Sequence, residues 1–163
     1  MSNGFPAAAA SHFGNLIVNP SGTNPGEYET YLRCPGWWAL DLSPLWGFPA
    51  YRGDNLVIPH HTGRRINPKR IDQGVYTLEL AITGVVNATG GDNANAFVGL
   101  RTNLEWLWSN IGDPSTGDTR LAKLILPDAS AITANCQFEL ALASLKGAEV
   151  RAMLDVIVPA GRF

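Results

Sequence analysis

The sequence predicts an α+β fold: an antiparallel β-sandwich with one flanking α-helix and a long extended arm loop. Three observations predict it. Val75 to Thr83 alternates, with Tyr76, Leu78, Leu80 and Ile82 on one face and Thr77, Glu79 and Thr83 on the other, the period of a strand with one side buried. Phe97, Leu100, Leu104, Leu107 and Ile111 then recur at three- and four-residue steps, the period of an amphipathic helix. Beyond the helix the apolar residues return to alternation in a meander, and a run of strands beside a single helix reads as α+β.

Size and composition bound the rest. The chain has 163 residues, one domain by length (1–163), enough to bury roughly 70% of its unfolded surface. Its charged fraction is 16% with five Trp, below the usual quarter, so more of the surface than usual is expected to lie against partners. A net charge of −2 gives no global attraction to nucleic acid. Two cysteines, Cys34 and Cys136, supply neither a metal spacing nor a disulfide framework. No run approaches the roughly 20 apolar residues of a membrane span. The N-terminus lacks the basic start of a secretory signal, so the chain is expected to stay in the cytoplasm where it is made.

Residues 1–36 are rich in Gly, Pro, Asn and Ala and read as an irregular segment, with Leu16-Ile17-Val18 as one short strand. Pro20, Pro25 and Pro35 keep the remainder irregular. Aromatics then concentrate: Trp37, Trp38, Trp46, Phe48 and Tyr51. In a strand, adjacent Trp37 and Trp38 point to opposite faces, so both cannot enter one small core. One is left half-exposed or touches a neighbour, and Trp is enriched at interfaces. Trp37, Trp38 and Trp46 are therefore the candidate interface aromatics.

The arm loop spans residues 52–73. Arg64, Arg65, Lys69 and Arg70 are four of the chain's twelve Lys and Arg residues, and His60 and His61 add to them. Pro59 and Pro68 remove backbone donors and Gly63 lies between them, so no regular element is expected to run through. Leu56, Val57, Ile58, Ile66 and Ile71 give the segment apolar anchors. Structureless loops beyond about 12–15 residues are uncommon in compact domains and tend to be functional or disordered. An apolar, charged arm of this kind suits contact with another molecule.

The strand Val75–Thr83 is ended by the turn cluster Ala88–Asn93. The helix follows from about Asn95 to Ile111, with Asp92, Asn93 or Asn95 as its cap and Gly112 and Pro114 as its stop. Arg101, Asn103, Glu105 and Ser109 fall to solvent, while Trp106 and Trp108 widen the apolar face. After the turn Asp113–Asp118 come strands near Leu121–Leu126, Cys136–Leu145 and Glu149–Val158, the last two joined at Lys146-Gly147 as a tight hairpin.

Chemistry-bearing constellations do not emerge. There is no nucleophile elbow, zinc-protease helix, phosphate loop or dinucleotide fingerprint, so no catalytic residue, cofactor site or metal site is expected, and the chain does not read as an enzyme. His60 and His61 are adjacent and project differently, and His12 is the one other histidine, too few ligands for zinc. Gly91-Asp92-Asn93 lacks the acidic twelfth position of a calcium loop and is explained by helix capping. The arm cations suit carboxylates of a neighbouring subunit better than nucleic acid, since no aromatic in the arm offers a stacking platform. Specific nucleic-acid binding and membrane binding are not expected.

The arrangement xIPxxxGRRxxPxRIDxxxYxLxLxIxG, running from Val57 to Gly84, resembles distal tail proteins, also called minor tail proteins, of long-tailed bacteriophages. The resemblance is strongest over Ile58–Gly84, weaker over Leu100–Trp108 and generic over the final meander. It implies a tail-tube-like domain whose copies close a homo-oligomeric ring, six-fold in that family, around a channel. It makes Ile58, Pro59, His60, His61, Arg64, Arg65, Pro68, Lys69 and Arg70 the inter-subunit arm. The partners it implies are the tail-tube protein, the tail-tip or baseplate hub protein, and the tape measure protein in the channel; the location it implies is the virion tail, assembled in the host cytoplasm. Two alternatives stand beside it. One is the major tail-tube subunit itself. The other, of a different class, is a small carbohydrate-binding β-sandwich using Trp37, Trp38 or Trp46.

Overall fold

The computed structural model describes residues 15–18, 30–31, 33–53, 56–57, 64–65, 68–87, 90–126 and 128–163, with backbone alone at 15, 30–31, 33–34, 56–57 and 64–65. In chain order its strands are β1 (Asn15–Val18), β2 (Thr30–Tyr31), β3 (Arg33–Cys34), β4 (Trp37–Ala39), β5 (Tyr51–Arg52), β6 (Leu56–Val57), β7 (Arg64–Arg65), β8 (Arg70–Ile71), β9 (Gly74–Thr83), β10 (Arg120–Ile125), β11 (Ala131–Lys146) and β12 (Glu149–Val158), with helix α1 (Ala96–Ile111) between β9 and β10. The result is α+β. An antiparallel sheet of eight strands runs in the order β2-β1-β10-β11-β12-β9-β4-β3, and one helix packs against it.

β9 and β12 pair along their whole length because both alternate over ten residues and match in length, from Gly74 with Val158 to Thr83 with Glu149. Tyr76, Leu78, Leu80 and Ile82 are all buried, as are Val150, Ala152, Leu154, Val156 and Val158 on β12. The meander β10–β11–β12 has the expected order, with Gly147 at φ +60° in the tight turn that closes on the pair Lys146 and Glu149, a conformation that favours glycine.

β11 is longer than its periodicity suggests. It starts at Ala131, five residues before the expected Cys136, because Ala131–Cys136 pairs with β10 while Gln137–Lys146 pairs with β12. In its first third Ala131, Ala134 and Asn135 have little strand propensity. The neighbouring ladder holds them extended.

Helix α1 is capped by Asn95, whose side-chain oxygen accepts from the backbone N–H of Phe97 at 3.0 Å and Val98 at 3.2 Å, and it ends at Gly112 with φ +89°. Its setting corrects the expected stripe. Leu100, Leu107 and Ile111 are buried and Leu104 half-buried, but Phe97 is 65% exposed. Asn103, expected in solvent, is buried, and its amide donates to the carbonyls of Thr83 at 2.7 Å and Val86 at 3.0 Å. Those carbonyls lie at the last residue of β9 and just past it, partly buried, where an acceptor shielded from water needs a donor. The helix is therefore turned so that Asn103 reaches them, and Phe97 swings outward.

Two close approaches fix α1 on the sheet. A Cβ on Gly84 would run into the Ala96 carbonyl and Leu100, so the chain leaving β9 passes directly against the helix start. On the sheet side, the rings of Trp37 and Trp106 lie 4.9 Å apart at 34°, within the range of favourable aromatic pairs.

Candidate assembly surface

The arm is a β-hairpin stem rather than an irregular loop. Tyr51 and Arg52 of β5 pair with Ile71 and Arg70 of β8, and Leu56 and Val57 of β6 pair with Arg65 and Arg64 of β7, both antiparallel. The inner ladder is nested inside the outer one. Three residues separate Arg52 from Leu56 and four separate Arg65 from Arg70, so the return strand carries one extra residue. Pro68 falls in that longer stretch. Its missing N–H removes a donor where the register slips. The expectation that prolines and Gly63 would prevent any regular element is thus corrected: two short ladders form on either side of the offset.

At the root of the stem, the Arg52 guanidinium donates to the Asp72 carboxylate at 2.6 Å, and the Gln73 N–H donates to the same carboxylate at 2.9 Å. Asp72 is held below the usual carboxylate range, first by the Arg52 hydrogen bond and then by the Gln73 N–H. Arg52 and Arg70 are direct cross-strand neighbours, an unfavourable like-charge pair that Asp72 offsets on one side. Lys69 and Arg70 are exposed, and no ion pair engages them among the described residues. The root thus carries Arg52, Lys69 and Arg70 against Asp72, a local excess of positive charge. Tyr51 at 59% and Ile71 at 60% exposure are cross-strand partners in the outer ladder, and Trp46 at 51% and Phe48 at 80% exposure stand just before them in the chain.

Of the expected arm residues, Pro68, Lys69 and Arg70 are exposed. Arg64 and Arg65 are placed by their backbone in β7, and Ile58, Pro59, His60 and His61 lie outside the described residues. The interface aromatics separate. Trp37 is fully buried against Trp106 and is withdrawn as a surface candidate. Trp38, on the opposite face as strand alternation requires, is half-buried, and Trp46 is open. No cluster of three His, Cys, Asp or Glu able to hold a metal ion occurs among the described residues. Burial pushes the Cys136 thiol up to about 12, so it is not a thiolate nucleophile. No helix among the described residues is long and apolar enough to cross a membrane.

A second surface was missed in the sequence. Two adjoining hollows of about 310 and 350 Å³ lie between α1 and β11 and share Leu104 and Leu142. Phe97, Trp108, Leu142 and Leu145 stand 53–66% exposed around them. The available signal was the spacing Leu140, Leu142, Leu145, which changes from two residues to three and marks a bulge.

No family model matches this chain, and no curated protein matches it.

Proposed function

We propose that the chain is a structural virion protein, a ring-forming subunit of a bacteriophage tail tip that joins the tail tube to the tip complex around a central channel. The observation that carries this reading is the pair of ladders in the arm, basic at its root, with exposed Tyr51 and Ile71 opposite each other in the outer ladder and exposed Trp46 and Phe48 just before it in the chain. An apolar patch rimmed by one sign of charge marks a protein-contact surface. A head-to-tail contact of such an arm with the next copy, repeated around an axis, closes a ring. In this reading the eight-stranded sheet curls into a tail-tube-like β-sandwich flanked by α1, and β11, shared between β10 and β12, is the strand that passes between its two halves. The ring is six-fold. Its neighbours are the tail-tube protein, the hub protein and, in the channel, the tape measure protein; a place in the tube itself is the variant closest to this one.

The test replaces residues 54–67 with a short Gly-Ser turn, leaving the outer ladder of the stem. Electron micrographs and light scattering of the intact chain should show rings, and the shortened chain should stay folded but lose them. Rings of unchanged size after the replacement would refute the arm assignment. The exposed Trp46 and Phe48 favour a second reading, a small carbohydrate-binding domain. That reading requires a monomer whose tryptophan fluorescence responds to oligosaccharide and loses the response in Trp46→Ala.

A further inference from the structure

Among the described residues, the edge of β11 is left open where it is most apolar. β10 covers Ala131–Cys136 and goes no further, while β12 pairs with the other edge as far as Lys146. Among the described residues, the backbone from Glu139 to Lys146 has no hydrogen-bond partner on its outer edge. Leu142 at 62% and Leu145 at 66% exposure lie along this stretch beside the α1 hollows. A long apolar edge strand is a template for pairing with another chain unless charge, proline or a covering element blocks it. Glu139 and Lys146 are the charged residues of the stretch and it contains no proline.

The bulge sets how those two charges face. Leu142 pairs with Ala152 and Ser144 with Arg151, so Ala143 is the extra residue. Across the sheet, Glu139 lies in one row with Asp155 and Thr77, and Lys146 in one row with Glu149 and Thr83. Thr77 and Thr83 share a face of β9, so Glu139 and Lys146 share that face too. By the same counting, Leu140 and Leu145 fall in the rows of Leu78 and Ile82, on the helix side. Seven residues apart in an unbroken strand, Glu139 and Lys146 would point to opposite faces.

We propose that this edge pairs, antiparallel, with the same edge of a second copy across a two-fold axis at the bulge. With bulge facing bulge, Ala141 opposes Ser144, Leu140 opposes Leu145, and Glu139 opposes Lys146 of the second copy, each pair occurring twice. Opposite charges meet on the outer face and leucines meet over the α1 groove. Neither Glu139 nor Lys146 has an ion-pair partner among the described residues, and Glu149, the cross-strand neighbour of Lys146, is bonded to Arg151 at 3.1 Å. The self-complementarity of this charge pattern selects a copy of this chain as the occupant. The contact is isologous, unlike the head-to-tail contact that closes a ring, and stands independently of the ring reading.

Sedimentation equilibrium of the full chain tests it, with Glu139→Lys, Lys146→Glu and the double exchange. Each single reversal sets like charges opposite one another at both ends of the dyad and should weaken the two-fold association about tenfold. The double exchange should restore it. Backbone amides from Glu139 to Lys146 should exchange more slowly as wild-type concentration rises. Single reversals without effect, a double exchange as weak as either single, or edge amides that exchange fast at every concentration would each overturn the proposal. Near-ultraviolet circular dichroism checks that the variants, altered at exposed positions, remain folded.

Discussion

The side-chain amide of Asn103 donates to the backbone carbonyl of Thr83 at 2.7 Å, and this bond sets the face that α1 turns toward the sheet. The same nitrogen also reaches Val86 at 3.0 Å. A polar residue in the helix interior thus positions the leucines around it. Asn103→Leu should lower unfolding stability by about 1–3 kcal/mol in a denaturant titration, because two partly buried carbonyls lose their donor. An unchanged midpoint would show that water satisfies them.

The rotated helix separates two large residues of the expected stripe. Leu107 is fully buried and Phe97 is 65% exposed. Leu107→Ala should cost about 2–5 kcal/mol, whereas Phe97→Ala should stay within about 0.5 kcal/mol for the isolated subunit. Equal losses would restore the original stripe.

Gly84 tests the close passage between β9 and α1. Its hypothetical Cβ meets backbone atoms of Ala96 and Leu100, which cannot rotate away. Gly84→Ala should cost about 3 kcal/mol or more, beyond ordinary overpacking. Gly117, at φ +74° with open space around it, should cost only about 1–2 kcal/mol on the same change, the left-handed penalty alone. Thermal melts of the two variants should differ clearly.

Acid should loosen the root of the arm. Asp72 has a folded-state pKa depressed chiefly by Arg52, so its contribution is present above the unfolded value of about 3.9 and is lost as pH falls through the lower folded value. Arg52→Ala should move the Asp72 carboxyl titration, followed by carbon-detected NMR, toward the unfolded value. Titration at the same pH in wild type and variant would remove Arg52 as the cause.

Arm charge should act between copies. Replacing Arg64 and Arg65 with Glu should reduce assembly in light scattering, while the wild-type chain shows no sequence-specific DNA binding at physiological salt. Tight, specific DNA binding lost in that double variant would replace the structural reading.

Local patterns in the chain determined a good part of this protein. The alternation of β9 and β12, the hairpin between β11 and β12, a cap among Asp92, Asn93 and Asn95, and the Gly112 stop each depend on residues close together in sequence, where side-chain period and backbone preference act directly. The opposite facing of Trp37 and Trp38 was legible for the same reason. Tertiary structure decided the rest. Ala131–Asn135 became strand because β10 lies beside it, and the arm paired because its two halves meet despite Pro68. Asn103 went inward because the end of β9 offered carbonyls, and Phe97 went outward with the same rotation. The edge of β11 left open among the described residues follows from where β10 stops. Periodicity tells which face of an element is apolar; which edge is covered, and by how much a helix turns, depends on partners distant in the chain.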